Sequence, residues 1–263
     1  MNVGIVGLGE MGMPMLERLR GADLPVTFVA RRPEAVGRAR DLGALPVESF
    51  ADRDVVIVCV YSDDQVRDVC LGPGGILAAL RSGATLVNHT TGSPMTAAAL
   101  AETGRLRGVD VLDAALSGGP RDIASGTLTL LLGGAADVIE RVRPVLATYA
   151  NPIVHVGGIG DGQRVKLINN AVYGANYALV AEAERVAEAL GVDPAVALDA
   201  MTSCSGDSRV LRTVVALGSS ARMYEVAGRF IEKDLATVTF VAEELGVDLG
   251  LLRLARIGQG GTQ

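Results

Sequence analysis

Short unbroken apolar runs recur through the first part of the chain, each followed by a longer amphipathic stretch: VGIV, VTFVA, VVIVCV, ATLVNH, GVDVLDA, TLTLLLGG and PIVHVG. A strand with one face in water alternates polar and apolar residues, so continuous hydrophobicity predicts strands covered on both faces. The intervening helical stretches supply that cover, and residues 1–160 are expected to form a doubly wound α/β domain. From Asp161 to Leu190 the pattern becomes one uninterrupted helical stretch, and shorter helical segments follow, punctuated by Gly-Val-Asp at 191–193 and 246–248. Residues 161–263 are accordingly predicted to be an all-helical second domain with a frayed GQGGTQ end.

Composition narrows the function more than the fold. With 263 residues and 49% hydrophobic content the chain builds a substantial core, which argues against disorder. Lys and Arg number 24 against 30 Asp and Glu, a net charge of −6, and the basic residues are scattered, so no nucleic-acid partner is expected. Cys59, Cys70 and Cys204 are odd in number and lack metal-ligand spacing; they read as small buried side chains in a reducing compartment, and no metal is expected. Nothing ahead of NVGIVGLG serves as a secretion signal and no apolar run reaches the roughly 18 residues of a membrane span. A cytoplasmic protein without membrane contact is the simplest expectation.

The stretch VGIVGLGEMGMPM sets Gly7, Gly9 and Gly12 in G-x-G-x-x-G spacing directly after a predicted strand and before a predicted helix. In that context Gly7 makes the tight turn, Gly9 lets a pyrophosphate approach the backbone, and Gly12 lets helix and strand pack closely. The residues between them, Leu8, Glu10 and Met11, complete a dinucleotide-binding loop at a helix N-terminus. An NAD-binding fold usually carries Asp or Glu about 20 residues further on to hold the ribose 2′-hydroxyl. Here TFVARRPEA ends the second strand in Arg31 and Arg32, guanidinium groups suited to a 2′-phosphate, so NADP is favoured and NAD remains possible.

Two further features carry candidate chemistry. After VDVLDAAL comes SGGPRD, where Ser117, Gly118 and Gly119 either form a tight glycine turn or offer backbone N–H groups and a hydroxyl to a carboxylate. On the helix from Asp161, Gln163, Lys166, Asn170, Tyr173 and Tyr177 fall within an arc of about 80° at 100° per residue. Solvated helix faces usually carry charge, as this one does later at Glu182, Glu184, Arg185 and Glu188; amides and tyrosines instead suggest a polar cleft. Lys166 and Asn170 lie one turn apart. Lys166 either snorkels its charge to water or, desolvated, becomes a proton donor and acceptor near neutral pH.

Taken together, these pieces resemble the β-hydroxyacid dehydrogenases, which include 3-hydroxyisobutyrate dehydrogenase and tartronate semialdehyde reductase. The resemblance runs in order along nearly the whole chain: GIVGLGEMGMPM, VNHTTGSP, DAALSGGPRDIASGTLTLLLGG, GGIGDGQRVKLINN and EKDL. It implies an N-terminal Rossmann-type domain, an all-helical C-terminal domain joined by a long helix, an active site between them, and a homodimer or homotetramer. It further implies Lys166 as catalytic acid and base with Asn170 as partner amide, Ser117, Gly118 and Gly119 around the carboxylate of a small-molecule substrate, Thr91 and Lys233 on the cofactor, and Val60, Tyr61 and Ser62 beside the nicotinamide ribose. The implied reaction is hydride transfer between a short 3-hydroxy acid and its semialdehyde or oxo acid. Departures are Ala115 and Leu116 where relatives carry Pro-Val, and Asn88-His89-Thr90-Thr91 where they carry D-M-S-T. His89 and His155 read as structural. Relatives usually continue through further helices after the stretch matching KDLATVTFVAEELGVDLGLLRLARIG, so the helical domain is expected to be shortened. Two alternatives share the architecture: an imine reductase-like NADPH enzyme, where a different residue commonly replaces the lysine, and a catalytically silent dinucleotide-binding or interaction protein, which the shortened C-terminus keeps open; Lys166 argues against the first, and Lys166 with Asn170 favours the dehydrogenase over the second. 6-Phosphogluconate dehydrogenases have much longer helical domains.

Overall fold

The computed structural model describes residues 1–254; the GQGGTQ end lies outside the described residues. In chain order the elements are β1 (Val3–Val6), α1 (Gly12–Gly21), β2 (Val26–Val29), α2 (Pro33–Asp41), β3 (Leu45–Pro46), β4 (Val55–Val58), α3 (Asp63–Leu71), α4 (Ile76–Ala79) and β5 (Thr85–Asn88). They continue with α5 (Pro94–Arg105), β6 (Asp110–Ser117), α6 (Pro120–Ser125), β7 (Leu128–Gly133), α7 (Ala136–Leu146), β8 (Ala150–Gly157), α8 (Asp161–Ala189), α9 (Pro194–Met201), α10 (Arg209–Leu217) and α11 (Ser220–Glu244). A 3-10 turn follows at Gly250–Leu254.

The strands form one sheet in the order β3-β2-β1-β4-β5-β6-β7-β8, with β1 to β6 parallel. Residue alternation explains why the sheet is covered on both sides. Val3, Ile5, Val55, Ile57, Val87 and Leu112 face one buried cluster, whereas Val6, Val56, Val58 and Leu86 face the other. Because both sets are apolar, neither face tolerates water. Three features depart from the pattern reading. The edge strand β8 is largely exposed instead of covered on both faces, with Val154 39% in solvent, because an edge strand has a neighbour on one side only. Strand β3 is a two-residue, exposed edge that pairs with Thr27 and Phe28, too short to leave a periodic signal. Strand β7 runs antiparallel to β6, and hydrophobicity carries no information about strand direction.

Backbone contacts divide the chain into two compact units, Met1–Lys166 and a second that begins at Leu167, so α8 contributes its first turns to one and the rest to the other. Within the second unit Tyr177, Val180, Leu198, Val210, Leu211, Val214, Met223 and Ile231 form the core, and Leu167, Ala171, Val238 and Val241 a smaller cluster. The first Gly-Val-Asp is a helix stop and start: Gly191 takes φ +75° after α8, and Asp193 Oδ1 accepts from Ala195 N–H at 2.8 Å and Val196 N–H at 3.2 Å to begin α9. Against expectation Cys204 is exposed, sitting in the turn after α9, beyond the helix that would have set it on a buried face. No described helix is long and apolar enough to cross a membrane.

Candidate active site

The sheet order reverses between β1 and β4, and the loops after β1, β2, β4, β5 and β6 all leave the carboxyl edge of the parallel strands. That edge beside the reversal is where open α/β sheets bind ligands. Gly7 ends β1 at φ +94°, and a Cβ there would lie 2.0 Å from the Cys59 carbonyl oxygen; a Cβ on Gly12 would lie 2.0 Å from the Gly7 carbonyl oxygen. Any side chain at either place forces the loop apart. A Cβ on Gly9 would meet nothing within 4 Å, so the loop backbone there is open to a close-approaching group. Helix α1 follows with Met11 as an N-cap that supplies no side-chain acceptor and with no acidic residue in its first turn. Its N-terminal dipole and N–H groups suit an anionic pyrophosphate, and the residues present fit a dinucleotide. Leu8 is buried beneath the loop and Glu10 exposed on it.

Arg31 and Arg32 follow β2, both exposed. Arg32 Nη2 donates to the Leu8 carbonyl at 2.9 Å, which brings its guanidinium beside the glycine loop; Arg31 remains at the surface.

The loops after β4 and β5 are fastened to each other. Val60 N–H donates to Thr90 Oγ1 at 3.0 Å, and Thr90 N–H to Asn88 Oδ1 at 3.1 Å. The Asp63 carboxylate accepts from Ser93 N–H at 3.2 Å and from the Thr96 hydroxyl. Ser62 is the N-cap of α3, its hydroxyl accepting from Gln65 N–H at 3.3 Å, while Tyr61 is 64% exposed. Thr91 lies half-buried between Thr90 and Gly92.

Behind that loop His89 is buried, its Nδ1 2.6 Å from the Ala114 carbonyl oxygen and its Nε2 2.8 Å from Tyr149 Oη. A carbonyl only accepts, so Nδ1 carries the proton and Nε2 receives the Tyr149 hydroxyl. Burial holds the His89 pKa down to about 4 against the opposing pull of the Ala114 carbonyl. The ring is neutral and structural.

On β6, Ser117 and Gly118 enter a turn in which Gly118 has φ +135°. Gly119 N–H donates to Asp122 Oδ2 at 2.7 Å, an interaction the sequence reading missed. An acid three residues after the glycine, at the N3 position of α6, was the available signal. The Ser117 hydroxyl and Gly118 N–H are the donors this turn can offer. Four residues upstream the wholly buried Asp113 accepts from Gly160 N–H at 2.8 Å and Gln163 N–H at 2.9 Å, so its carboxylate takes two N–H groups at the start of α8. Burial raises the Asp113 pKa, and those N–H bonds partly offset the rise.

The polar stripe of α8 is largely satisfied by the protein itself. Gln163 is buried, as are Asn170, whose Nδ2 donates to Asp234 Oδ2 at 2.9 Å, and Tyr177, whose hydroxyl donates to the Ser220 carbonyl at 3.0 Å. Amides and tyrosines on an apolar helix thus mark a hydrogen-bonded seam as much as a cleft. Lys166 is half-buried one helical turn from Gln163, in the same unit as the glycine loop and Ser117. Asn170 and Lys233 belong to the second unit, where Lys233 directly precedes Asp234 on α11.

A glycine loop at a sheet reversal, ahead of a helix N-terminus and beside loops tied together, defines a dinucleotide-binding Rossmann-type domain. Residues 2–158 match the NAD-binding domain of 6-phosphogluconate dehydrogenase, and residues 160–257 the NAD-binding domain of NADP-dependent 3-hydroxyisobutyrate dehydrogenase. The chain belongs to the β-hydroxyacid dehydrogenase family. It is 30% identical to 2-(hydroxymethyl)glutarate dehydrogenase of Eubacterium barkeri over 99% of this chain and 89% of that one. It is 34% identical to 3-hydroxyisobutyrate dehydrogenase of Pseudomonas aeruginosa over 80% and 72%. Among solved structures, 3-hydroxyisobutyrate dehydrogenase of Mycobacterium tuberculosis with L-serine superposes at a TM-score of 0.86 and 28% identity, covering 97% of this chain and 90% of that one. The protein is an enzyme of the dehydrogenase and reductase class that acts on hydroxyl groups.

Proposed function

We propose that this enzyme interconverts a short 3-hydroxy acid and its semialdehyde or oxo acid, with NADP as the preferred nucleotide and Lys166 as the acid and base. The observation that carries the reading is the placement of Lys166 one helical turn from Gln163, whose amide is bonded to the loop containing Thr91. When bound, the nicotinamide nucleotide supplies the hydride acceptor in oxidation and the hydride donor in reduction. Lys166 Nζ takes the proton from the substrate hydroxyl in oxidation and returns it to the carbonyl oxygen in reduction. Ser117 Oγ and Gly118 N–H hold the substrate carboxylate, and Asn170, its amide turned by Asp234, orients the reacting oxygen. Gly7 to Gly12 with Thr91 and Lys233 hold the nucleotide, Val60 to Ser62 flank its ribose, and Arg32 with Arg31 supplies charge for a 2′-phosphate. The match of residues 160–257 to the NADP-dependent 3-hydroxyisobutyrate dehydrogenases supports the same nucleotide. The working protein is a homodimer or homotetramer in a reducing, cytoplasmic setting, in keeping with three cysteines outside any disulfide.

The test is a spectrophotometric screen of 3-hydroxy acids and semialdehydes with NADP and NAD, run on the native protein and on Lys166→Ala. The expected result is turnover with NADP and a fall in kcat of roughly 10²- to 10⁴-fold in the variant, with nucleotide binding retained. Full activity in Lys166→Ala would sink the mechanism.

A further inference from the structure

Gln163 is 1% exposed, and its buried amide is used in full view of the proposed chemistry. Its Nε2 donates to the Thr90 carbonyl at 3.0 Å, and its Oε1 accepts from Gly92 N–H at 3.0 Å. The side chain therefore straddles Thr91, bonding the residue before it and the residue after it. Its own N–H donates to Asp113, the buried carboxylate on the strand that ends at Ser117. One residue in the first turn of α8 thus links two segments 50 and 73 positions away along the chain, strand β6 and the loop after β5. Ordinary helix packing needs an apolar side chain here, and an amide buried this deeply persists only where each polar atom has a partner.

Resting on the role given above to Lys166, we propose that Gln163 is a positioning residue that locks the Thr90–Gly92 turn to the helical turn carrying Lys166, so that the cofactor-facing loop and the proton-transferring amine keep one fixed spacing. Hydride and proton move to and from adjacent atoms of one substrate, and a misplacement of about 1 Å can cost on the order of 100-fold in rate. Two amide hydrogen bonds fix the turn in a way that a single contact does not. Asp113 anchors the same helix end through two N–H groups, and its strand continues rigidly to Ser117, so the substrate turn shares that frame.

Gln163→Met keeps the volume and removes both amide bonds. The expected result is a folded protein whose NADPH affinity falls about tenfold, because binding must then order a turn that the amide no longer holds, while affinity for 2′,5′-ADP, which lacks the nicotinamide half, stays unchanged. Gln163→Glu adds a second readout. Protonated, its carboxyl donates to the Thr90 carbonyl and accepts from Gly92 N–H as the amide does; ionised, it cannot donate. NADPH affinity in this variant is expected to be near native at low pH and to fall as pH rises, a profile absent from the native protein. Equal losses for NADPH and 2′,5′-ADP, or native affinity in folded Gln163→Met, would overturn the proposal. If Gln163→Met fails to fold, the pH profile of Gln163→Glu decides. Should no hydroxy acid be turned over by the native protein, the role of Lys166 falls, whereas the two nucleotide affinities still decide whether Gln163 holds the loop.

Discussion

Asp122 brings a carboxylate into the turn where a substrate carboxylate is proposed to sit, and it occupies the Gly119 N–H as well. Like charges at such spacing repel, and a donor already engaged contributes nothing to binding. Asp122→Ala removes the charge and releases the N–H. The KM for an active 3-hydroxy acid should fall about tenfold with kcat little changed, at a cost of about 1 kcal/mol in stability from the lost helix cap. Steady-state kinetics and a thermal melt measure the two effects. An unchanged KM would show that no substrate carboxylate uses this turn, and would move the search for its partner elsewhere. Arg32 shows a similar residue-level economy: of the two arginines that the missing acid singled out, Arg31 and Arg32, it is Arg32 that donates to the loop it is expected to serve.

Between elements, the His89 ring fastens the end of β5 to β6 through Ala114 and to Tyr149 in the turn ahead of β8. Its ordinary pKa of 6.5 is depressed to about 4 in the fold, chiefly by burial. The folded state therefore binds fewer protons than the unfolded chain between those values. The stability from the neutral ring is fully present above pH 6.5, is lost as pH falls through that window, and changes no further below about 4. The loss amounts to about 3 kcal/mol. Urea unfolding at several pH values should show this slope in the native protein and a smaller one in His89→Gln; parallel curves would refute the assignment. Lone histidine in a strand-to-loop position reads as structural from sequence, yet its tyrosine partner lies 60 residues away and is visible only in the fold.

For the whole molecule, Ile168, Val172, Leu179 and Val186 expose apolar side chains along one stripe of α8, with 60% of Ile168 and 67% of Leu179 in contact with solvent. A stripe of that kind on a long helix supports the homodimer or homotetramer proposed above. Light scattering on the eluting protein should give twice or four times the chain mass, and Leu179→Glu should lower it; a monomer at every concentration would end the idea. The sequence by itself determined what rests on neighbours in the chain. Seven strands were legible because continuous apolar runs have one physical use, the glycine loop because its spacing is local, and α8 because its helical pattern runs unbroken to the glycine that stops it. Only the tertiary structure decided what depends on partners far along the chain. Strand β3 exists because β2 offers it an edge, β7 turns antiparallel because of how α6 returns the chain, and Cys204 falls in an exposed turn after α9. Gln163 was visible as one amide in a polar stripe; its bonds to Thr90, Gly92 and Asp113 exist only where three distant segments meet. Periodicity records which face of an element avoids water, and it contains nothing about which other element that face will meet.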